Sequence, residues 1–271
     1  MNTVITGASA GIGAVAALDL AKQGHRLVLV GRDRTRLAGV AERVGSITGT
    51  PADTLVADFA SLDQVRRLAR ELLDRCPRID VLINNAGLMA GKRQITEDGN
   101  ELIMQVNHFA PFLLTNLLID RLRACSARVV TTSSRAARAG RLDPADLSRE
   151  RRRWNGWLQY ADSKQANALF TVSLAGHGLA ATCLHPGVLR TGFAADTFYM
   201  RLVTRLPGMS EPVEAGAARI VHLATDQDGV AHPGRYFVRG LPVDVPRRMS
   251  DPALAEALWE ASLNATGLGR A

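Results

Sequence analysis

The glycines between residues 6 and 13 constrain this chain more than any other feature. Val4-Ile5-Thr6 is a short β-branched run that reads as a buried strand. It continues into Thr6-Gly7-Ala8-Ser9-Ala10-Gly11-Ile12-Gly13, and then into the helix-forming stretch Ala14-Val15-Ala16-Ala17-Leu18-Asp19-Leu20-Ala21. Glycines let such a turn close and let its backbone approach a pyrophosphate, which sits at the N-terminus of the helix that follows. Gly24-His25 ends that helix, and Arg26-Leu27-Val28-Leu29-Val30 reads as a second strand, completing a βαβ unit.

The alternation continues. Further strands are expected at 54–58, 81–83, 127–134, 180–184 and 234–238. Helices are expected at 34–44, from Ser61 onward, and at 99–124, 212–225 and 252–263. A chain of 271 residues, 46% hydrophobic and 22% charged, suits one such domain over 1–271. Its apolar runs are too short to span a membrane, and the N-terminus does not read as a secretory signal. Cys76, Cys125 and Cys183 are odd in number and lack C-x-x-C spacing, which fits free thiols in a reducing cytosol. The net charge of +7 admits nucleic acid as a partner, yet the basic residues are scattered. The run Arg149-Glu150-Arg151-Arg152-Arg153 has no interleaved aromatic residue before Trp154, so it reads as a solvated loop and not a nucleic-acid patch.

Tyr160-Ala161-Asp162-Ser163-Lys164 carries the chemistry. On a helix, Tyr160 and Lys164 leave the same face one turn apart, and the apolar residues that follow recur at helical spacing. A positive charge beside a phenol favours the phenolate and brings proton transfer within reach of neutral pH. Of the 33 basic residues only Lys22, Lys92 and Lys164 are lysine, so a lysine here is a departure from the chain's habit. A compact ammonium fits under a small site where a planar guanidinium does not.

The G-x-x-x-G-x-G spacing after Thr6, the Asn84-Asn85-Ala86-Gly87 run after the fourth strand, and Tyr160-x-x-x-Lys164 together resemble the short-chain dehydrogenase/reductase family. Val106-Asn107-His108-Phe109-Ala110-Pro111-Phe112-Leu113-Leu114-Thr115 and Leu258-Trp259 resemble its retinol-dehydrogenase-like branch. The resemblance covers essentially the whole chain. It implies a Rossmann-type, doubly wound α/β fold with a parallel sheet of about seven strands in the order 3-2-1-4-5-6-7, and helices on both faces.

It also implies the roles. Tyr160 is the general acid/base. Lys164 lowers its pKa and bonds the nicotinamide ribose. Asn107 opens a proton relay. A serine at the end of the fifth strand bonds the substrate oxygen; alignment favours Ser134, with Ser133 the alternative, since adjacent strand residues face opposite ways. His108 is left as structural. Cofactor contacts fall to Gly7, Ser9, Ala10, Gly11, Ile12 and Gly13; to Asp58 and Phe59; to Asn84, Asn85, Ala86 and Gly87; and to Pro186, Gly187, Val188 and Thr191. The second strand ends at Gly31 without the carboxylate that favours NAD(H), and Arg32 follows, so NADP(H) is expected over NAD(H). Asp33 and Ala10 weigh the other way. No metal site is expected.

The function implied is NADP(H)-dependent interconversion of an alcohol and a lipophilic ketone or aldehyde by a cytoplasmic enzyme; a homo-oligomer is compatible with it. The alternatives are a non-catalytic NADP(H)-binding redox sensor and, on charge alone, a nucleic-acid binder. Two segments are expected to shape the substrate pocket: a 135–159 insertion, read as a lid, a partner surface or a solvated flap that the core does not need, and a 192–210 loop.

Overall fold

The computed structural model describes residues 1–188 and 210–269. Its strands are β1 (Asn2–Thr6), β2 (Arg26–Gly31), β3 (Asp53–Val56), β4 (Val81–Asn84), β5 (Arg128–Thr132), β6 (Ala180–His185), β7 (Tyr236–Val238) and β8 (Leu241–Val243). They form one sheet in the order β3-β2-β1-β4-β5-β6-β7-β8. All neighbours through β7 are parallel, and β8 pairs antiparallel with β7. After β1 the chain builds outward through β2 and β3, then returns to place β4 on the other side of β1. The connections that leave β1 and β4 therefore diverge at their carboxyl ends, and this switch point is where open α/β sheets hold ligands.

The α-helices among the described residues are α1 (Gly11–Lys22), α2 (Arg34–Thr48), α3 (Leu62–Arg75), α4 (Leu102–Met104), α5 (Ala110–Leu117), α6 (Ile119–Ala124), α7 (Gly156–Gly176), α8 (Val213–Thr225), α9 (Asp228–Ala231) and α10 (Pro252–Thr266). Both faces of the sheet are covered, and the strand pleat shows it. Ile5, Leu27, Leu29 and Ile83 join one core with residues of α1, α2 and α8. Their neighbours Val4, Val28, Val30 and Leu82 join the other with residues of α3, α5 and α7. Helix α7 is buried without a break from Gln159 to Thr171, so its polar residues must find partners inside the protein.

Three elements differ from the sequence expectations. β8 is an eighth strand, joined to β7 through Arg239 and Gly240, both at positive φ (54° and 80°). Arg-Gly carries the hairpin geometry without the usual Asn-Gly signal. The helix expected over 99–124 begins at Leu102 and passes through a π-helical turn at Gln105–Phe109. Pro111 has no amide hydrogen to give the Asn107 carbonyl four residues back, and the Ala110 N–H reaches instead to the Gln105 carbonyl. The strand expected over 127–134 stops at Thr132, because Ser134 caps a 3₁₀ turn at Arg135–Ala139.

His108 is structural, as expected. It is fully buried, its Nε2 lies 2.9 Å from Ser262 Oγ, and Phe170 packs edge-on against its ring. Burial pushes its pKa down to about 3. The unfolded chain regains a normal imidazole, so this site's contribution to stability is complete above about pH 6.5 and is lost as the pH falls from there toward 3. His108→Gln, which cannot be protonated, should remove part of this acid sensitivity. Wild-type stability should fall relative to the variant by up to about 1.4 kcal/mol per pH unit below 6.5, measured by urea unfolding at several pH values.

Candidate active site

The first turn of α7 is fixed by Asn155, whose side chain accepts from the backbone N–H groups of Trp157 and Leu158. One turn on, Tyr160 and Lys164 project together, with Lys164 Nζ 5.7 Å from the centre of the Tyr160 ring. The Nζ donates to the Thr132 carbonyl at the end of β5 (3.1 Å). The Tyr160 phenol is hydrogen-bonded to Ser134, and Ser134 Oγ also accepts from the Ala136 N–H. Ser133 points the other way, to the Lys164 carbonyl (2.7 Å). Of the two serines, Ser134 is the one beside the tyrosine.

Asn107 completes the cluster. Its amide nitrogen donates to the Leu88 carbonyl and to Ser163 Oγ (both 3.0 Å), and its side-chain oxygen accepts from the Leu88 N–H (2.7 Å). The π-helical turn presents it here, and such turns often mark functional positions. Ser163 in turn donates to the Tyr160 carbonyl, so sequence reasoning missed Ser163 and Thr132 as the groups that hold Asn107 and Lys164.

Burial governs the titration of the pair. It pushes the Tyr160 phenol up to about 12, partly offset by the Ser134 hydrogen bond. It pulls the Lys164 ammonium down to about 8. The expected lowering of the phenol by Lys164 is not seen: burial sets the direction, Ser134 opposes it, and Tyr160 is a protonated donor at neutral pH. Cys183, also buried here, is pushed up to about 12 and stays a thiol.

The glycine loop lies across the switch point. Gly7 has φ 68°, and a Cβ on Gly13 would lie 2.4 Å from the Gly7 carbonyl oxygen, so the turn closes only with glycine there. Ala10 stands at the N-cap of α1 and offers no side-chain cap, leaving the amides of Gly11, Ile12 and Gly13 for another acceptor. Asn85 ties the loop down, donating to the Thr6 and Gly7 carbonyls. These features fit a dinucleotide, with its pyrophosphate on the helix N-terminus. Ser9 is half-buried and Arg32 exposed beside the loop. Asp58 lies two residues beyond β3, with one carboxylate oxygen accepting from Ala60 N–H. The Phe59 and Asn84 side chains turn away from the site: Phe59 is in the core, and Asn84 donates to Thr115 Oγ1. Ala86 and Gly87 follow at the end of β4. Pro186, Gly187 and Val188 lie past the end of β6, where Arg219 holds the Pro186 carbonyl. Thr191, and the 192–210 loop except Ser210, lie outside the described residues.

The family model described as short chain dehydrogenase matches residues 1–201. The chain belongs to this family. Among relatives of this short chain dehydrogenase is a Streptomyces sp. (strain C5) protein provisionally named a daunorubicin C-13 ketoreductase, 42% identical over 98% of this chain and 92% of its own. Human retinol dehydrogenase 13 is 35% identical over 98% of this chain and 85% of its own. A solved structure of an uncharacterized protein from Mycobacterium paratuberculosis superposes with a TM-score of 0.79 at 33% identity, covering 98% and 93% of the two chains. A provisionally named short chain dehydrogenase from Escherichia coli CFT073, complexed with NADPH, gives 0.71 at 27% identity, covering 89% and 96%. No helix among the described residues is long and apolar enough to cross a membrane.

In this short chain dehydrogenase the 135–159 segment is not a solvated flap. Arg151 and Arg153 are exposed, but Arg149 is only 7% exposed and gives two hydrogen bonds, through Nε and Nη2, to the Asp162 carboxylate (2.9 and 2.7 Å). Asp162 also accepts from the Arg141 N–H. Arg152 pairs with Asp146, and Leu142 and Leu147 enter a core cluster with α7 and α10 residues. The segment is anchored because Asp162, sealed inside α7, needs donors that only this stretch supplies. Arg149→Met removes both of these hydrogen bonds and leaves the buried carboxylate, for a cation, only the more distant Arg152 guanidinium, 3.8 Å away, which should cost about 3–5 kcal/mol in urea unfolding; unchanged stability would return the segment to the role of a loose flap.

Proposed function

We propose that the protein is an NADP(H)-dependent oxidoreductase that interconverts a lipophilic ketone or aldehyde and its alcohol. The observation that carries this reading is the hydrogen-bonded set at the carboxyl edge of the sheet: a buried, protonated Tyr160 joined to Ser134, with Lys164 against its ring. In the reduction direction Tyr160 gives its proton to the carbonyl oxygen, and the Ser134 hydroxyl orients that oxygen and stabilises the charge that develops on it. Lys164 and Asn107 supply the path that returns a proton to the tyrosine. The bound nicotinamide nucleotide would exchange hydride with the carbonyl carbon. The amides of Gly11, Ile12 and Gly13 would hold its pyrophosphate, Arg32 its 2′-phosphate, Asp58 its adenine, Lys164 its ribose, and Gly187, Val188 and Thr191 its amide. The NADPH complex of the Escherichia coli relative supports the choice of nucleotide. The relatives named for a ketone and a retinol, and the apolar residues around Tyr160, support a lipophilic substrate. Three free cysteines support the cytosol as its compartment.

Tyr160→Phe should lower carbonyl reduction by roughly 10²–10⁴ while NADPH binding is kept; more than half of wild-type turnover would remove Tyr160 as the acid. The pH profile follows from Lys164. Its ammonium is present below about 8 and lost above it, so reduction should be level near neutrality and decline as the pH rises through that value. A flat profile to pH 9.5 would exclude lysine from the relay.

Arg32→Ala should weaken NADPH binding by about 10- to 150-fold, the worth of a charge-assisted hydrogen bond, and leave NADH nearly unchanged. Fluorescence titration of both nucleotides decides this, and tighter NADH than NADPH binding by the wild type would end the NADP(H) assignment.

A further inference from the structure

Trp154 occupies a position that the catalytic set does not explain. It is half-buried and packs against the cluster formed by Ile103, Ala136, Tyr160 and Ala161. It also lines a cavity of about 400 Å³ that opens to the surface beside Arg93, Ile95, Gly99 and Arg152. One indole therefore borders both the apolar surroundings of the tyrosine and a separate, charged basin.

That indole is held in place. Its Nε1 donates to Glu101 Oε1 (3.2 Å). Glu101 is fully buried and its other oxygen caps α4 through the Met104 N–H (2.9 Å), so the acceptor cannot swing away. Burial raises the Glu101 pKa, and losing the indole donor would leave an enclosed polar atom unsatisfied. On the following turn, a Cβ at Gly156 would lie 2.3 Å from the Ala90 carbonyl oxygen and 3.3 Å from the Trp154 ring, so this loop is pressed against the segment after β4. Upstream, the Arg149–Asp162 and Arg152–Asp146 pairs fix the chain that delivers it.

We propose that Trp154 is a specificity-determining wall: its indole separates the apolar cluster at Tyr160 from the outer basin and limits the length of substrate accepted on that side. The proposal rests on the carbonyl-reductase reading above. The cluster side is apolar, through Leu88, Met89 and Ala90. Beyond the wall the basin is lined by arginines, two of which, Arg149 and Arg152, are already paired with aspartates. Removing the indole would open the apolar surroundings of Tyr160 toward the basin and let a long ring system extend past Tyr160.

The test uses the full chain, with acetophenone as the short ketone and acetylanthracene as the long one, and NADPH affinity and melting as checks of the fold. Trp154→Ala should raise the long-to-short ratio of kcat/KM by at least about tenfold, since a few methylene equivalents of space are worth that much in an apolar pocket. Trp154→Phe should give a smaller rise in the same direction, and it decides the matter should the alanine variant not fold. A ratio that stays within about twofold of wild type, with both ketones affected in parallel, overturns the wall. If the wild type reduces neither ketone, the carbonyl-reductase reading falls. Calorimetric binding of the same two ketones to wild type and variant then judges the wall by the same ratio.

Discussion

Thr6, Asn85, Thr132 and Lys164 form a chain of hydrogen bonds on which the rest of the site depends. The Thr6 hydroxyl donates to the Ile83 carbonyl and accepts from the N–H groups of Asn85 and Ala86. The Asn85 amide nitrogen reaches back to the carbonyls of Thr6 and Gly7, and its oxygen accepts from Thr132 Oγ1. The Thr132 carbonyl then accepts from Lys164 and from Asn167. Three parallel strands end at this point, and each end exposes backbone groups that its own ladder cannot satisfy. Polar side chains crossing from strand to strand satisfy them. The glycine turn, the sheet edge and helix α7 are thereby held in one frame, the fixed relative placement that an oxidoreductase site requires of its parts.

The helix that carries the tyrosine is buried along nearly its whole length, and that burial sets the chemistry. An amphipathic surface helix would have left Tyr160 and Lys164 in water, near their ordinary pKa values. Inside the protein, desolvation disfavours both charged forms. The phenol becomes a firm proton donor, and the ammonium becomes able to release a proton near pH 8. The same burial forces the helix to pair its other polar residues. Asp162 meets Arg149 and the Arg141 N–H, Ser163 meets Asn107, and Gln165 meets the Leu142 N–H. The segment before the helix is structured because α7 needs these donors. Fixing that segment also delivers Trp154 to the edge of the site.

The sequence by itself determined whatever is written locally. The strand–glycine–helix turn could be read because only glycine fits where Gly13 meets the Gly7 carbonyl. The pairing of Tyr160 and Lys164 could be read because helical spacing fixes it. The order of strands and the place of Asn107 came with the family resemblance those motifs carry. Pro111 was a local clue to the π-helical turn, four residues after the asparagine it displaces. Tertiary structure decided the rest. Whether Ser133 or Ser134 meets the tyrosine depends on where β5 stops. Whether Lys164 or burial dominates the phenol depends on how much protein surrounds them. Whether Arg149 lies in water or against Asp162 depends on a carboxylate 13 residues away with no periodic relation to it. Propensity and pattern describe neighbours along the chain, whereas desolvation and ion pairing are properties of neighbours in space. Only the folded chain sets the latter.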